Sequence, residues 1–421
     1  MEVKRIPCPG SLLVCGWMFF FLAGLHGQEG PRIRAFEVRG LTRTRLSVVE
    51  PYYRPFVGRP YAEFSADGLI QDLRKLGIFN PEIQVFPQAP PEENGDVDVV
   101  IVLEEKWTLL PFPFAAATSS GKLYGGLAFI ESNFLGYNKK MYALGMLSTR
   151  GWRGMLGYAD PSLLGSDLAY NGLFSGGVNE REFADEDGDP WQNFETTDII
   201  LRSGLTWKAS ETIRLGIGAG FLDFDVNGGF ESKFPPPASA RLAQGALSFQ
   251  YDDLYYDSVL VSGLLFKAQY ERFFPLSADT LAFSQYGAAL SYQKKIFGDH
   301  RLGFSAEGLY IPGAPLVMEP DISGRILNTL PDDLVADSAA SARVSFEYLL
   351  SSFSWGAFTV QGIYEAGVFS LDGGCPSYAQ GPGGGLRVYL AKIALPAFGL
   401  DVYYNVQTGR TNASMRMGLS F

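Results

Sequence analysis

The sequence predicts a small α+β domain followed by an all-β, 16-stranded antiparallel transmembrane β-barrel, and three observations carry that prediction. The last ten residues, 412–421, alternate strictly, with Met415, Met417, Leu419 and Phe421 on one face and Asn412, Ser414, Arg416, Gly418 and Ser420 on the other, as expected of a strand whose side chains have period two. From residue 112 onward no amphipathic helix can be drawn, and sixteen such alternating segments follow one another. Glycine (49) and aromatic residues (14%) are abundant in a chain of 421 residues, matching crowded barrel interiors and the aromatic girdles of membrane interfaces. A strand ending in an aromatic reads as the closing strand of a barrel, because a sheet in lipid cannot leave an edge unpaired.

Residues 1–27 read as a secretory signal. Lys4 and Arg5 precede an apolar run over 11–25, and small and polar residues follow at His26, Gly27 and Gln28. Cys15 follows Val14, which is too large for the position before a lipidated cysteine. The whole chain carries −11, and the signal contains Lys4, Arg5 and Glu2, so the mature chain carries −12. That acidity argues against nucleic acid and against a polybasic lipid anchor. Of three cysteines only Cys375 survives processing, and the chain has two histidines; no intramolecular disulfide, transition-metal constellation or cofactor site is expected. An acidic run at Asp185, Glu186, Asp187 and Asp189 lacks EF-hand spacing and reads as a solvated loop. No nucleophile elbow, Walker A run or H-E-x-x-H motif is present, so no enzymatic role is expected.

The small domain is expected over 32–110. A strand over 34–38 ends at Gly40, and Thr44 is placed to cap a first helix through Leu46, Val49 and Tyr53, shortened by Pro51. Ser65 caps a second helix carrying Leu69, Ile70, Leu73 and Leu76, with Asp67 in its first turn, Arg74 and Lys75 in its last, and Gly77 at its stop. Segments 83–86 and 97–103 read as strands separated by a Pro, Glu, Asn and Gly-rich turn. This order, with Phe36, Val38, Gly40, Gly58, Leu73, Gly77, Phe79 and the 97–103 strand at their spacings, resembles a POTRA (polypeptide-transport-associated) domain.

The barrel is expected over 111–421, with strands at 112–118, 121–131, 139–149, 152–160, 166–177, 195–207, 212–225, 240–252, 258–273, 280–294, 301–311, 339–350, 355–367, 383–394, 398–407 and 412–421. In the clearest, Ile213, Leu215, Ile217, Ala219 and Phe221 face lipid while Arg214, Gly216, Gly218 and Gly220 face the lumen. An even count puts both ends of the barrel on one side. The short connections, such as 132–138, 253–257 and 395–397, then fall on the side of the small domain, and the long ones, 178–194, 226–239, 312–338 and 368–382, fall on the other.

The longest connection contains Gly324 and Arg325. Beyond it, Arg343, Ser345 and Glu347 face inward, Glu365 does so one strand later ahead of Gly367, and the run Gly383, Gly384, Gly385, Leu386, Arg387 descends a further strand with Arg387 inward. These segments resemble the bacterial surface antigen barrel of the BamA/TamA outer-membrane assembly-factor superfamily. In that family a loop folds back into the barrel and sets the Arg of a V-R-G-[YF] motif against an acidic residue of an F-x-D-x-G strand. By position the resemblance makes Arg325 the loop arginine and Glu365 its partner, with Gly383 to Arg387 on the G-x-G-L-R strand. Asn133 to Gly136 resembles the N-L-F-G turn, and Tyr158, Asp160, Pro161 and Gly165 resemble the Y-x-D-P turn. Ser323, Gly324, Arg325 and Ile326 depart from V-R-G-[YF] in the order of glycine and arginine, and Glu365 replaces the usual Asp.

The resemblance implies an outer-membrane protein, its POTRA-like domain in the periplasm, that inserts or translocates other polypeptides. Its partners would be unfolded outer-membrane or secreted polypeptides, outer-membrane lipid and accessory periplasmic proteins. The small domain would offer a strand edge, and the seam between the first strand and the closing strand at Phe421 would open. Two alternatives stay open: a polypeptide-secretion pore acting through the lumen, and a passive porin or surface adhesin.

Overall fold

A computed structural model describes residues 30–88, 95–117, 123–149, 151–184, 189–229, 235–257, 260–277, 281–331, 334–371, 374–394 and 397–417. The segment read as a signal, the tip of the acidic loop over 185–188, and the end of the closing strand including Phe421 lie outside the described residues.

The N-terminal unit is a three-stranded sheet with two helices. Strands β1 (Ile33–Arg39), β2 (Gln84–Pro87) and β3 (Val97–Val102) lie in the order β1-β3-β2, with β1 parallel to β3 and β2 antiparallel to it. Helix α1 (Leu46–Tyr53) and helix α2 (Ala66–Lys75) pack over one face, where Val49, Leu69, Leu73, Ile78, Phe79 and Ile101 form the core. Ser65 caps α2 by accepting the N–H of Gly68 at 3.1 Å, as its sequence predicts. Thr44 does not cap α1: its N-cap is Arg45, and the Thr44 hydroxyl is drawn off as an acceptor for Asn133 of the barrel, at 2.9 Å.

The remaining strands form one 16-stranded antiparallel sheet in strict chain order. They are β4 (Leu109–Ala117), β5 (Leu123–Phe134), β6 (Lys139–Ser148), β7 (Gly151–Asp160), β8 (Leu168–Ala184), β9 (Pro190–Lys208), β10 (Ile213–Gly229), β11 (Ala240–Asp257), β12 (Leu260–Pro275), β13 (Phe283–Lys295), β14 (Arg301–Tyr310), β15 (Ser338–Phe353), β16 (Gly356–Ser370), β17 (Ser377–Leu390), β18 (Ala397–Tyr404) and β19 (Thr411–Met417). Each overlaps one of the sixteen expected segments. Three of the long connections are shorter than expected, because β8 and β9, β10 and β11, and β16 and β17 run on as hairpins.

The reason is an inversion of polarity along these strands. Through the middle of β10 the exposed side chains are Leu215, Ile217 and Phe221, as a lipid-facing wall requires. Two residues farther on, that face carries Asp223 and Asp225, and Arg241 of β11 reaches Asp223 at 2.8 Å. The opposite face changes the other way, from Gly216, Gly218 and Gly220 to fully buried Leu222. Above the membrane band the extended hairpins therefore pair as a water-soluble sheet does, with polar residues outside and an apolar core within. That core takes in Phe183, Phe194, Leu242, Phe273 and Phe283 from the strands, and Ile322, Ile326, Leu327, Leu330 and Leu334 from the 311–337 connection.

Among the described residues the small domain hydrogen-bonds to the barrel at three places on the side of the short connections. The N–H of Arg45 donates to the carbonyl of Gly136 at 2.9 Å. Gln71 and Arg74 of α2 donate to the carbonyl of Tyr256, at 3.1 and 2.9 Å, and Tyr256 N–H returns a bond to Gln71 at 3.0 Å. Trp107 donates its N–H to Lys392 at 2.9 Å and accepts from Ala394 at 3.0 Å. These places lie at the ends of the second, eighth and fourteenth strands of the barrel, so the contacts are spread around one rim and the domain lies across that mouth.

Candidate functional site: the lumen loop and the barrel seam

The 311–337 connection folds back into the lumen because its sequence is apolar where an exposed loop would be polar. Leu316, Val317, Ile322, Ile326, Leu327, Leu330, Leu334 and Val335 have somewhere to go only inside the barrel. Its backbone polar groups must then find partners. Val317 and Glu319 carbonyls accept from the guanidinium of Arg181 on β8, the second at 2.9 Å. Asn405 donates to the Thr329 carbonyl at 3.1 Å, and Asn412 of β19 donates to the Asn328 and Leu330 carbonyls, at 3.2 and 2.5 Å.

Glu365 is the centre of this arrangement. Its side chain is fully buried, and it accepts the N–H groups of Asn328 and Thr329 at 2.7 and 2.9 Å, the Asn328 side-chain amide at 2.8 Å and the guanidinium of Arg343 at 2.7 Å. The expected pair of Arg325 with Glu365 is corrected here: the cation on Glu365 is Arg343, and the loop contributes amide groups instead of a guanidinium. Two features account for this. Arg343 stands directly opposite Glu365 in the β15–β16 register, and a turn at Gly324 (φ +66°) with a bridge from Ser323 to Leu327 sends Arg325 to the exposed side of the loop. Among the described residues Arg325 has no hydrogen-bond or ion-pair partner; it lines a lumen cavity of about 110 Å³.

The expected glycine positions act through close approach. A Cβ on Gly367 would stand 2.4 Å from the Ala340 carbonyl oxygen and 2.5 Å from Leu327 of the loop, so the loop seats on β16 only where a side chain is missing. On β17, a Cβ on Gly385 would stand 1.9 Å from Asp401, whose carboxylate occupies that space. Asp401 is held there by a two-pronged pair with Arg387, both contacts at 2.7 Å, and by Gln361 at 2.9 Å. Such paired N–H donors fix orientation as well as charge. Gly383 lies one inward position before Gly385, against the ring of Tyr403.

A third ionic cluster was not foreseen. Arg301 of β14 pairs with Glu347 of β15, and the Tyr389 hydroxyl and Thr359 hydroxyl also bind Glu347. Its signal was present in part, since Glu347 and Arg343 are inward-facing by alternation, but the arginine opposite each carboxylate follows only from strand register. Arg181, Asn405 and Asn412 carry no sequence signal beyond polarity.

At the seam, β4 and β19 are the two ends of the sheet, and no ladder joins them among the described residues. The ring of Phe112 stacks on that of Phe398 at 5.8 Å. Pro111 and Pro113 share the outer face with exposed Phe129 and Leu127, so Phe112 is on the inner face of β4. Phe398 shares the outer face of β18 with exposed Leu400, Val402 and Tyr404. An inner-face ring resting on an outer-face ring means that the sheet's ends overlap here, with β4 lapping outside β18. Residues 118–122, between β4 and β5, lie outside the described residues.

No protein-family model matches the sequence, and no curated protein matches it by sequence. The fold is similar to that of solved barrels. BamA from Haemophilus ducreyi lacking POTRA domains 1–3 superposes with a TM-score of 0.55 at 12% identity, covering 92% of this chain and 83% of that one. CdiB from Acinetobacter baumannii gives 0.60 at 14% identity, covering 92% and 73%, and CdiB from Escherichia coli gives 0.59 at 14%, covering 90% and 73%. At these identities the likeness is one of fold: a 16-stranded barrel with a small N-terminal α/β unit.

Proposed function

We propose that the protein is an outer-membrane factor that inserts or translocates other polypeptides, acting through its small domain and through the seam between β4 and β19. The observation that carries this reading is the Phe112–Phe398 overlap, where the inner face of β4 rests on the outer face of β18. A ladder of hydrogen bonds is what makes a membrane barrel difficult to open, because each broken bond leaves polar groups in lipid. Strands that overlap face to face are held there by side chains, which part without stranding backbone polar groups.

The lumen arrangement supports a sideways route over a straight one. The in-folded loop and the apolar core around it fill the lumen at one end, and the small domain lies across the other mouth. In this reading the small domain is POTRA-like and periplasmic, residues 1–27 are its export signal, and a client pairs with a free strand edge of the three-stranded sheet by β-augmentation. Clients are unfolded outer-membrane or secreted polypeptides, with outer-membrane lipid and accessory periplasmic proteins as further partners. The fold shared with BamA and CdiB is compatible with both insertion and secretion.

The test is depletion of the protein followed by quantitative proteomics of the outer membrane and the medium. Loss of several other barrels supports insertion, and loss of a single exported protein supports secretion. An outer membrane and medium unchanged apart from the depleted protein would sink both and leave a passive pore or adhesin.

A further inference from the structure

We propose that the outer wall of the barrel holds the phosphate of a membrane lipid on Arg272 of β12. The outward positions of this strand alternate with buried Glu271 and Phe273, and they carry Tyr270, Arg272 and exposed Phe274. The ring of Tyr270 packs against Tyr286 of β13 at 5.2 Å, and Tyr286 against Tyr310, the last residue of β14, at 6.2 Å. Such an aromatic belt marks a membrane interface, here at the end of the barrel away from the small domain. Arg272 lies one outward position beyond the belt. Two positions farther, Leu276 donates its N–H to the carbonyl of Arg241 at 2.8 Å, and there the outer face is already polar through the Arg241–Asp223 pair.

Arg272 is unlike the inward arginines. Arg301, Arg343 and Arg387 each face a carboxylate, whereas the residues opposite Arg272 are Gly245 on β11 and Ser284 on β13. Among the described residues its only hydrogen-bond partner is the buried Ser284 hydroxyl, at 3.0 Å. The Tyr270 hydroxyl lies 3.3 Å from the same oxygen, so guanidinium, phenol and hydroxyl meet at one atom. Ser284 occupies one N–H of a group that has five. Acyl chains offer the others no acceptor, and a charge on a lipid-facing wall is costly until it is paired. At the depth of an aromatic belt the matching acceptor is a lipid phosphate, which a planar guanidinium binds through two parallel N–H groups. Room for it exists beside the arginine: a Cβ on Gly245 would meet only Phe274, at 4.0 Å.

The place of this strand gives the site a consequence. β12 is the ninth of the sixteen barrel strands, so Arg272 stands on the wall opposite the seam. A lipid phosphate held there fixes the depth of the wall that does not part. With the small domain in the periplasm, as proposed above, the lipid belongs to the outer leaflet; the site rests on that reading for its leaflet and not for its chemistry.

The experiment uses the full chain folded in detergent, with didecanoyl phosphatidic acid as probe and native mass spectrometry to read the lipid retained. The natural protein should retain this lipid saturably, and didecanoyl glycerol, which lacks the phosphate, should be retained far less. R272Q should lower the apparent affinity by about tenfold, the loss expected of a charge-assisted hydrogen bond. K208Q, which removes a cation at a turn on the small-domain side, should leave it unchanged. Heat-modifiable gel migration identifies a variant that has failed to fold; if R272Q fails, S284A is read in its place, with a loss of about threefold expected. Equal retention in the natural protein and the folded variant, equal retention of the two lipids, or an equal loss in K208Q overturns the site. Displacement of the lipid by inorganic phosphate at matched concentration would make it a free-anion site and overturns the lipid. Retention is read on the purified chain, so its failure is distinct from a failure to find client polypeptides on depletion.

Discussion

Glu365 of β16 accepts the backbone N–H of Asn328 at 2.7 Å, and this bond joins the barrel wall to a connection that would otherwise be a surface loop. A carboxylate suits the place because it accepts from two successive loop amides while balancing Arg343. Glu365→Ala should destabilise the loop-in state by roughly 2–4 kcal/mol, since it strands Arg343 and two loop N–H groups in a closed space. Glu365→Gln should cost less, because one acceptor oxygen remains. Limited proteolysis within 311–337 reads the effect, and a cleavage rate in Glu365→Ala equal to that of the natural protein would refute it.

Arg181 should hold the same connection from the opposite wall. Its guanidinium binds two loop carbonyls and stacks on Phe183 at 4.9 Å. Arg181→Ala removes both bonds and part of the packing, at a cost of about 1–3 kcal/mol. In planar bilayers the variant should show more frequent openings than the natural barrel. Unaltered conductance together with unaltered proteolysis would mean that Arg181 holds nothing.

The seam makes a covalent prediction. With Cys375 replaced by Ser, a chain carrying Phe112→Cys and Phe398→Cys should be joined by a short bismaleimide, because the two rings are stacked at 5.8 Å. Joining them should abolish client insertion or export in cells while leaving heat-modifiable folding intact. Full activity in quantitatively crosslinked protein would show that the seam does not part at this end.

Much of this was legible in the sequence, and the exceptions share a cause. Strand positions were readable because period-two alternation is local, and Ile213 to Phe221 announces its faces without help from neighbours. Helix α2 was readable for the same reason, with Ser65 at its start and Gly77 at its end. What failed was pairing between segments far apart in the chain. Arg343 and Glu365 are both inward by alternation, yet only the register of β15 against β16 places them opposite one another. Thr44 was assigned to a helix cap because the cap is a local motif, whereas its partner Asn133 lies 89 residues away. The hairpin extensions were missed because Leu222, Phe183 and Phe194 reverse the polarity rule of a lipid-facing wall above the membrane band.

The junction between the domains gives a pH dependence. Burial would push the Glu105 carboxyl up, but hydrogen bonds from the Thr42 hydroxyl and from the N–H groups of Arg43 and Thr44 outweigh it and hold the pKa at about 2. An unfolded glutamate titrates at 4.5, so between these values the unfolded junction binds the proton and the folded one does not. The stabilisation is therefore complete above about pH 4.5 and is lost as pH falls toward 2. Peptic cleavage near 105–108 should accelerate across that window in the natural protein. Glu105→Gln should flatten the profile, and an identical profile in the variant would place the transition elsewhere.

Lys106, the next residue, should respond in the opposite range. Burial lowers its pKa from 10.5 to about 8, and no carboxylate offsets the cost of its charge among its described contacts. Below pH 8 the folded junction carries that cost in full. Between 8 and 10.5 the folded lysine has lost its proton while the unfolded one keeps it, so stability rises with pH through this window. Lys106→Met keeps the apolar stem and removes the charge, and it should slow tryptic cleavage at the neighbouring Arg43 and Arg45 at pH 7 while having little effect at pH 10. Because Glu105 and Lys106 are adjacent and titrate in separate windows, the double variant should show both changes independently. A Lys106→Met chain that is cleaved faster than the natural one at pH 7 would mean that the ammonium group stabilises the junction.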